Sequence, residues 1–566
     1  MSDIESLLGM ALPRDYEELN EVFSFVKGEV TRFEGDELSI EIKDSNRPDL
    51  WSAEGISRAL KGFMGLGKPR KYRITGCSGV MVFVDPRLEN IRPYIGCSIV
   101  RSVTLSDIAI KGLMHLQDKL DGSYGRGRKK TSIGLYDFDL INPPIHYSVS
   151  GPYETAFTPL GSNENLTLSE ILEKHPKGIQ YGHIVKPFEV WPILKDSKGS
   201  VLSFPPIINS NDLGRVTEST SNILVEVTGT SLKTVVDVLE IMVAALADRG
   251  GSIESVTIKY PYQGLRDKVT PRMEDETWTL EDGYINEVLG LDLDPDTIVD
   301  LLGRAGFEAY RKDGVTWVRT PCYRKDIIHP IDIVEDVAIA YGYNLIVPEW
   351  PRHQTFGALT RETEFYDKVR ELLIGLGFQE ILTFTLSNQE KLFGKMRLKV
   401  QPVIEVENPK MATFTCLRNW LIPSLIEFLS HNTHVEYPQR IFEVGDCAEP
   451  DTAYENRSRE RKSLAAAIAH PNACYTEIRS ILDSTLLNLK LNYQVKAWGH
   501  PSFIDGRAAE VLFENKSLGF LGEIHPEVLE NWGLEVPVSA LEMDLSTLFN
   551  CIKIEKGLKE GNIEGR

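Results

Sequence analysis

Four carboxylates fall within eleven residues of the run Tyr323-Arg324-Lys325-Asp326-Ile327-Ile328-His329-Pro330-Ile331-Asp332-Ile333-Val334-Glu335-Asp336. Asp332, Glu335 and Asp336 stand at i, i+3 and i+4 and share one face of a helix starting at Pro330. Asp326 lies just before that helix and can fold back toward it. Like charges this close repel unless a cation or basic side chains neutralise them. Oxygen donors without a thiolate favour a hard ion such as Mg²⁺. By spacing alone the cluster fits equally a solvated acidic face offset by Arg324 and Lys325.

A second constellation lies on strands. In Ile223-Leu224-Val225-Glu226-Val227-Thr228-Gly229-Thr230, the alternation puts Ile223, Val225 and Val227 on one face. Leu224, Glu226 and Thr228 take the other. A carboxylate and a hydroxyl ahead of a glycine turn either line a polar pocket or face solvent. Upstream, Ser203 points opposite to Leu202 and Phe204. The basic run Arg126-Gly127-Arg128-Lys129-Lys130 is either a solvated loop or a place to hold RNA phosphates. His146 and His183 have no visible partner, and G-x-S-x-G is absent, so no nucleophile and base are assigned.

These residues need elements to position them. The chain has 566 residues, 42% hydrophobic and 25% charged, a globular composition with room for about three to five domains. The net charge of −20 excludes nucleic-acid binding by the whole surface and leaves only a local patch or a basic partner. Seven cysteines with no C-x-x-C pair predict reduced, buried thiols and no zinc. No apolar run spans a membrane, and the first residues lack a signal peptide's basic and apolar regions. These features predict a cytoplasmic protein.

Alternation predicts a strand through Leu38, Ile40 and Ile42, then a turn, Asp44-Ser45-Asn46-Arg47-Pro48-Asp49, that opens a helix carrying Leu50, Ile56, Leu60 and Phe63. Asp49 there suits the helix's positive end. A helix begins near Ser231 and stops at Gly250-Gly251. Asp294 caps another, followed by Pro295. Further on come a helix from Glu364 to Leu376 and strands through Glu380–Thr385, Arg440–Val444 and Ala509–Phe513. Strands alternating with longer helices predict an antiparallel α+β sheet there.

Ordered motifs along most of the chain resemble the β chain of the archaeal/eukaryotic phenylalanyl-tRNA synthetases. The first is Asn46-Arg47-Pro48-Asp49-Leu50 with Glu54-Gly55. The second set is Gly134-Leu135-Tyr136-Asp137, Pro144-Ile145-His146-Tyr147, Pro159-Leu160-Gly161, Ser203-Phe204-Pro205-Pro206-Ile207-Ile208-Asn209 and Thr228-Gly229-Thr230, similar to the B3/B4 editing module. Pro321-x-Tyr323-Arg324-x-Asp326-Ile327 with Asp332-x-x-Glu335-Asp336 and Ala340-Tyr341-Gly342-Tyr343 resembles the B5 domain. Asn408-Pro409, Leu417-Arg418-Asn419-Trp420-Leu421 and Phe442-Glu443-Val444-Gly445 resemble the catalytic-like module.

The resemblance implies a multidomain α+β protein. Its parts are a B1-like domain at 1–86, a mixed α/β editing module at 87–262 and a winged-helix-like B5 domain at 263–348. A class II synthetase-like antiparallel core follows at 349–555, and the tail 556–566 ends in Ile563-Glu564-Gly565-Arg566, similar to an expression scar. It also implies an editing pocket of Leu194, Ser203, Glu226 and Thr228. Glu226 stands where the family commonly has Asp, with a reach one methylene longer. Asp326, Asp332, Glu335 and Asp336 are the implied Mg²⁺ ligands. Arg126, Arg128, Lys129 and Lys130 are candidates to touch RNA. Active class II chains carry Arg-x-Glu after the Phe-Glu-Val-Gly-like strand; Asp446-Cys447-Ala448-Glu449 stands here instead, so ATP would not be held. The implied partners are an α subunit, in an α₂β₂ tetramer, and tRNA(Phe). The implied function is scaffolding the α chain and hydrolysing mischarged tyrosyl-tRNA(Phe). A structural, RNA-binding subunit with an inactive editing site is the alternative.

Overall fold

The computed structural model describes residues 1–43, 46–67, 70–350 and 356–555. Asp44 and Ser45 of the predicted turn, and the tail 556–566, lie outside the described residues. The chain divides into two compact units, Met1–Trp350 and Pro351–Arg566. No helix among the described residues is long and apolar enough to cross a membrane.

The first unit opens with helices Ser2–Leu8 and Tyr16–Ser24 and the antiparallel hairpin Gly28–Glu34/Glu37–Ile42. Ser52 caps helix Ala53–Phe63 by accepting from Gly55 N. Gly55 is required there, because a Cβ would sit 1.6 Å from the Asp49 carbonyl oxygen. Asp49 does not serve as a helix-end charge; it is buried and grips Arg47 through two bonds of 2.9 Å.

A ten-stranded mixed sheet forms the middle of this unit. Its order is 208–209, 201–204, 191–195, 145–150, 74–84, 252–259, 94–101, 223–229, 131–137, with 268–270 pairing beside 252–259. Strands Ile74–Val84 and Lys268–Thr270 thus extend the sheet beyond the expected limits of 87 and 262. Helix Leu232–Asp248 buries nearly its whole surface, and Val235, Leu239, Met242 and Leu246 join Val225 and Val227 in one core. Leu224, Tyr136 and Leu194 belong to a separate core on the other face. A three-stranded sheet, ordered 276–281, 315–320, 308–312, completes the unit with helices Asp282–Leu289, Pro295–Arg304 and Pro330–Tyr341.

The second unit is a seven-stranded sheet, antiparallel apart from the short edge strand Gln379–Glu380, which runs parallel to Gln439–Pro450. Both faces are covered. Along Ser458–Ala469, Leu464, Ala466 and Ile468 pack toward helices Arg361–Gly375 and Tyr475–Asn488. Ala465, Ala467 and Ala469 pack toward helices Ile422–His431 and Pro526–Trp532. The strand predicted over Glu380–Thr385 ends at Glu380. Beyond it Ile381 is buried in the core, whereas Leu382 is 89% and Phe384 76% exposed. Thr383 is half-buried and its Oγ1 donates to Glu443, and the exposed Thr385 is tied by its backbone carbonyl, which accepts from Arg418 N.

Candidate active site

Strand Ile223–Gly229 runs fully buried between Tyr94–Arg101 and Thr131–Asp137. Glu226 stands opposite Cys97 on one neighbour and Gly134 on the other. A side chain at Gly134 would place its Cβ 2.6 Å from Glu226 Oε2 and 2.2 Å from the Tyr136 hydroxyl, so the carboxylate occupies space that only glycine leaves. The sheet's two terminal strands meet: the Tyr136 hydroxyl lies 2.8 Å from Ser203 Oγ, and Asn209 Nδ2 donates to Leu135 O across 3.4 Å. The sheet therefore curls, and its seam holds a cavity of about 680 Å³. Ile110, Leu113 and Met114 line its apolar side, and Ser203, Asn209 and Glu226 its polar side.

Glu226 is 2% exposed. Its Oε2 accepts the Tyr136 hydroxyl at 2.7 Å, whereas Oε1 is buried without a hydrogen-bond partner. A phenol has one proton, so with it on Glu226 the Ser203 hydroxyl donates to the phenolic oxygen. Burial pushes the Glu226 carboxyl up to about 7, against the opposing pull of the Tyr136 bond, the nearby Arg92 charge and the neighbouring Thr228 hydroxyl. A buried acceptor with an unused lone pair, in a residue that lines a cavity, can take a donor from a ligand, since leaving it unpaired costs about 1–3 kcal/mol.

The other two expected pocket residues do not line the cavity. Leu194 is buried in the core behind it, paired with Ser203 across the strands. Thr228 Oγ1 accepts from Arg92 Nε at 2.9 Å and neighbours Ser132 Oγ at 3.2 Å. Arg92, wholly desolvated, also donates to the carbonyls of Thr228 (2.7 Å) and Arg128 (3.0 Å). Thr228 thus helps to tie the basic loop to the sheet.

That loop splits in two. Arg126 and Lys129 are exposed and Lys130 is half-buried. Arg128 is buried: it donates to Ile207 O at 2.9 Å, pairs with Asp121 at 3.0 Å and lies over the Tyr181 ring. Arg128 braces and lines the cavity wall and is not part of the loop's exposed basic surface. Arg126, Gly127 and Arg128 all take positive φ. Tyr136, Arg92, Lys177 and Arg215 were missed as site residues, the last two lining the cavity. Tyr136 had a signal, since it stands two positions from Gly134 on the strand beside Glu226.

The acidic cluster also divides. Arg324 donates to Asp326 at 2.9 and 2.7 Å and to Asp336 at 2.6 Å. Arg47 lies 3.8 Å from Asp326 and 4.0 Å from Asp336. Asp332 folds back on its own helix start, accepting from Ile328 N and His329 N at 2.9 and 2.8 Å. Glu335 is exposed and pairs with Lys27 at 2.6 Å. Among the described residues no group of three or more acidic, histidine or cysteine side chains is arranged to hold a metal. The four carboxylates do not fit a divalent cation as they stand: arginine neutralises the buried pair, and the others point to separate partners.

In the second unit, Arg418 is 1% exposed and donates to Glu443 Oε1 at 2.7 Å, Thr383 Oγ1 at 2.7 Å and Asp446 O at 2.9 Å. Glu542, pushed up to about 7 by burial, accepts from Leu421 N and Ile422 N at 2.9–3.0 Å. Both residues serve the fold.

Two family models match the chain, and both describe tRNA synthetase domains. The tRNA synthetase B5 domain matches residues 278–343, and the phenylalanyl-tRNA synthetase β chain CLM domain matches 346–545. The class is therefore an aminoacyl-tRNA synthetase chain, part of a ligase of protein biosynthesis. Whole-length relatives narrow it. The phenylalanine–tRNA ligase β subunit of Thermococcus gammatolerans is 42% identical over 560 residues, covering 97% of this chain and 98% of that one. That of Thermofilum pendens is 40% identical over 554 residues, covering 97% of each. The crystal structure of an N-terminal fragment of the Pyrococcus horikoshii β subunit is 41% identical with a TM-score of 0.58, covering 60% of this chain and 98% of the fragment. This chain belongs to the phenylalanine–tRNA ligase β-subunit family.

Proposed function

We propose that this chain removes tyrosine from mischarged tRNA(Phe) in the Glu226 cavity and scaffolds a catalytic α subunit in an α₂β₂ assembly. The observation that carries the editing reading is the unpartnered Oε1 of Glu226, buried at the wall of the cavity. An apolar synthetic site rejects an analogue that adds only a hydroxyl by about 10²-fold. A second site with a buried acceptor inverts that selection. Tyrosine satisfies Oε1, and phenylalanine leaves it unpaired, which supports discrimination of about 10⁴–10⁵.

Glu226 selects the side chain, and among the described residues no side chain at the cavity wall pairs a nucleophile with a base. Hydrolysis is then assigned to a positioned water, assisted by the terminal hydroxyl of the tRNA and by backbone N–H donors. Arg126 and Lys129, which are exposed, would hold acceptor-end phosphates. The cavity is large enough for an aminoacyl-adenosine end, within the usual 300–1,000 Å³ of ligand sites.

The second unit we read as a class II-like core without ATP chemistry, since its buried Arg418 is consumed by Glu443. Its exposed Leu382, Phe384, Leu386 and Met411 suit the α chain as their cover. The 276–341 sheet and helices we read as winged-helix-like, and the compartment as the cytoplasm. The deciding experiment is deacylation of tyrosyl-tRNA(Phe) by the α–β complex, beside phenylalanyl-tRNA(Phe) as control. Fast loss of tyrosine alone is expected; equal, background loss of both would leave a purely structural subunit. Isolated β chain should support no ATP–pyrophosphate exchange, and co-expressed chains should elute together.

A further inference from the structure

We infer that Tyr136 is the positioning residue that sets the specificity of this cavity, a reading that rests on the editing function proposed above. The geometry is a stack of three groups, with Ser203, Tyr136 and Glu226 joined in turn by bonds of 2.8 and 2.7 Å. Tyr136 is fully buried, does not line the cavity and sits behind the carboxylate. Its phenol is thus a built-in copy of the group that the site must recognise. It fills Oε2 permanently and leaves Oε1 alone for an incoming hydroxyl.

Two consequences follow from hydrogen-bond capacity. With Oε2 held by Tyr136, turning of the carboxylate about its last bond is restrained, and Oε1 is left without a hydrogen-bond partner in a residue that lines the cavity. A side chain with one hydroxyl at the reach of tyrosine satisfies the site, and one with none leaves a desolvated oxygen unmatched. Gly134 supports the arrangement, because any Cβ there would strike both the phenol and Oε2. The titratable groups facing Glu226 are Tyr136, Tyr147, Cys97 and Arg92, with Arg128 and Asp121 on the loop across from Arg92. Of these, Tyr136 gives the largest stabilisation of the ionised carboxylate.

The test is Tyr136→Phe in the α–β complex, read in two ways. Non-hydrolysable 3′-amide analogues of tyrosyl- and phenylalanyl-adenosine are titrated by calorimetry, and tyrosyl-tRNA deacylation is followed from pH 5.5 to 8.5. The parent should prefer the tyrosyl analogue, and Tyr136→Phe should shrink that preference by about tenfold or more, the worth of one bond to a charged group. The midpoint at which activity rises with pH should move upward, because the lost bond favoured the ionised form. A merely structural role would lower both analogues' affinity together and leave the midpoint in place. Ser203→Ala, which removes the donor behind the phenol, should shift both readouts the same way by less, and serves if Tyr136→Phe does not fold. An unchanged tyrosyl preference and midpoint in folded Tyr136→Phe overturns the inference while leaving the editing function intact. A parent that prefers the tyrosyl analogue without hydrolysing tyrosyl-tRNA overturns the editing function alone. A parent with no preference overturns both.

Discussion

Glu226 and Glu542 make an instructive pair, one from each unit. Both are buried, and burial pushes both carboxyls up to about 7. Glu542 spends its two oxygens on the backbone N–H groups of Leu421 and Ile422, at the start of a helix. Glu226 has one oxygen on Tyr136 and one on nothing. A perturbed carboxylate is therefore not a site by itself; the unmatched acceptor at a cavity wall separates the two. Asp326 and Asp336 extend the lesson, because two arginines match them and they form a weld between chain segments.

The largest expected effect breaks that weld. Asp336→Ala leaves Arg324 buried with half its partners, and should cost about 3–5 kcal/mol of stability by urea denaturation. If the cluster instead served a metal, the variant would keep its parent's midpoint and lose bound Mg²⁺ by elemental analysis.

Next come the paired glutamates. Glu226→Ala should slow tyrosyl-tRNA deacylation about 10- to 150-fold, equivalent to ~1.5–3 kcal/mol. Phenylalanine charging by the complex should be nearly unchanged. Glu542→Ala should do the reverse, losing about 1–3 kcal/mol of stability from two orphaned N–H groups while deacylation holds. Equal deacylation in both variants would erase the distinction.

The pH dependence sharpens it further. Folding raises the Glu226 carboxyl from 4.5 to about 7, so over that window the folded state holds a proton that the unfolded state has released. Its contribution to stability is thus present below about 4.5 and lost as pH rises through about 7. Glu226→Gln should flatten this part of the stability profile, measured by thermal midpoints from pH 4.5 to 8, and leave the matching Glu542 contribution.

The smallest effect concerns the loop. Replacing Arg126 and Lys129 with Ala should raise KM for tyrosyl-tRNA and reduce the salt dependence of binding by roughly 0.7 per cation lost. Changing Arg128 should instead lower stability, because that residue braces the wall.

Periodicity, capping residues and glycine stops were enough to place the major helices and most strands. Helix Pro295–Arg304 begins behind Asp294 as its cap and proline predict. Helix Leu232–Asp248 follows its apolar face to Gly250. The alternation in Ile223–Gly229 correctly separated Glu226 and Thr228 from Val225 and Val227. It could not say that Glu226 meets a cavity and Thr228 meets Arg92, because both lie on one face and differ only in what the neighbouring strands bring. The spacing of Asp332, Glu335 and Asp336 was right for one helix. It was silent on Arg324 and Arg47, the latter almost three hundred positions away in the chain.

Local order thus determined the elements, their faces and the ordered motifs of the family, because these depend on neighbours within a few residues. The tertiary structure alone decided which carboxylates are satisfied. Hydrogen-bond partners for Glu226, Asp336 and Glu542 come from Tyr136, Arg324 and the Leu421–Ile422 backbone, brought close by strand pairing and sheet curl. A buried acceptor's chemistry is the difference between the donors it needs and the donors that folding delivers, and that difference exists only in three dimensions.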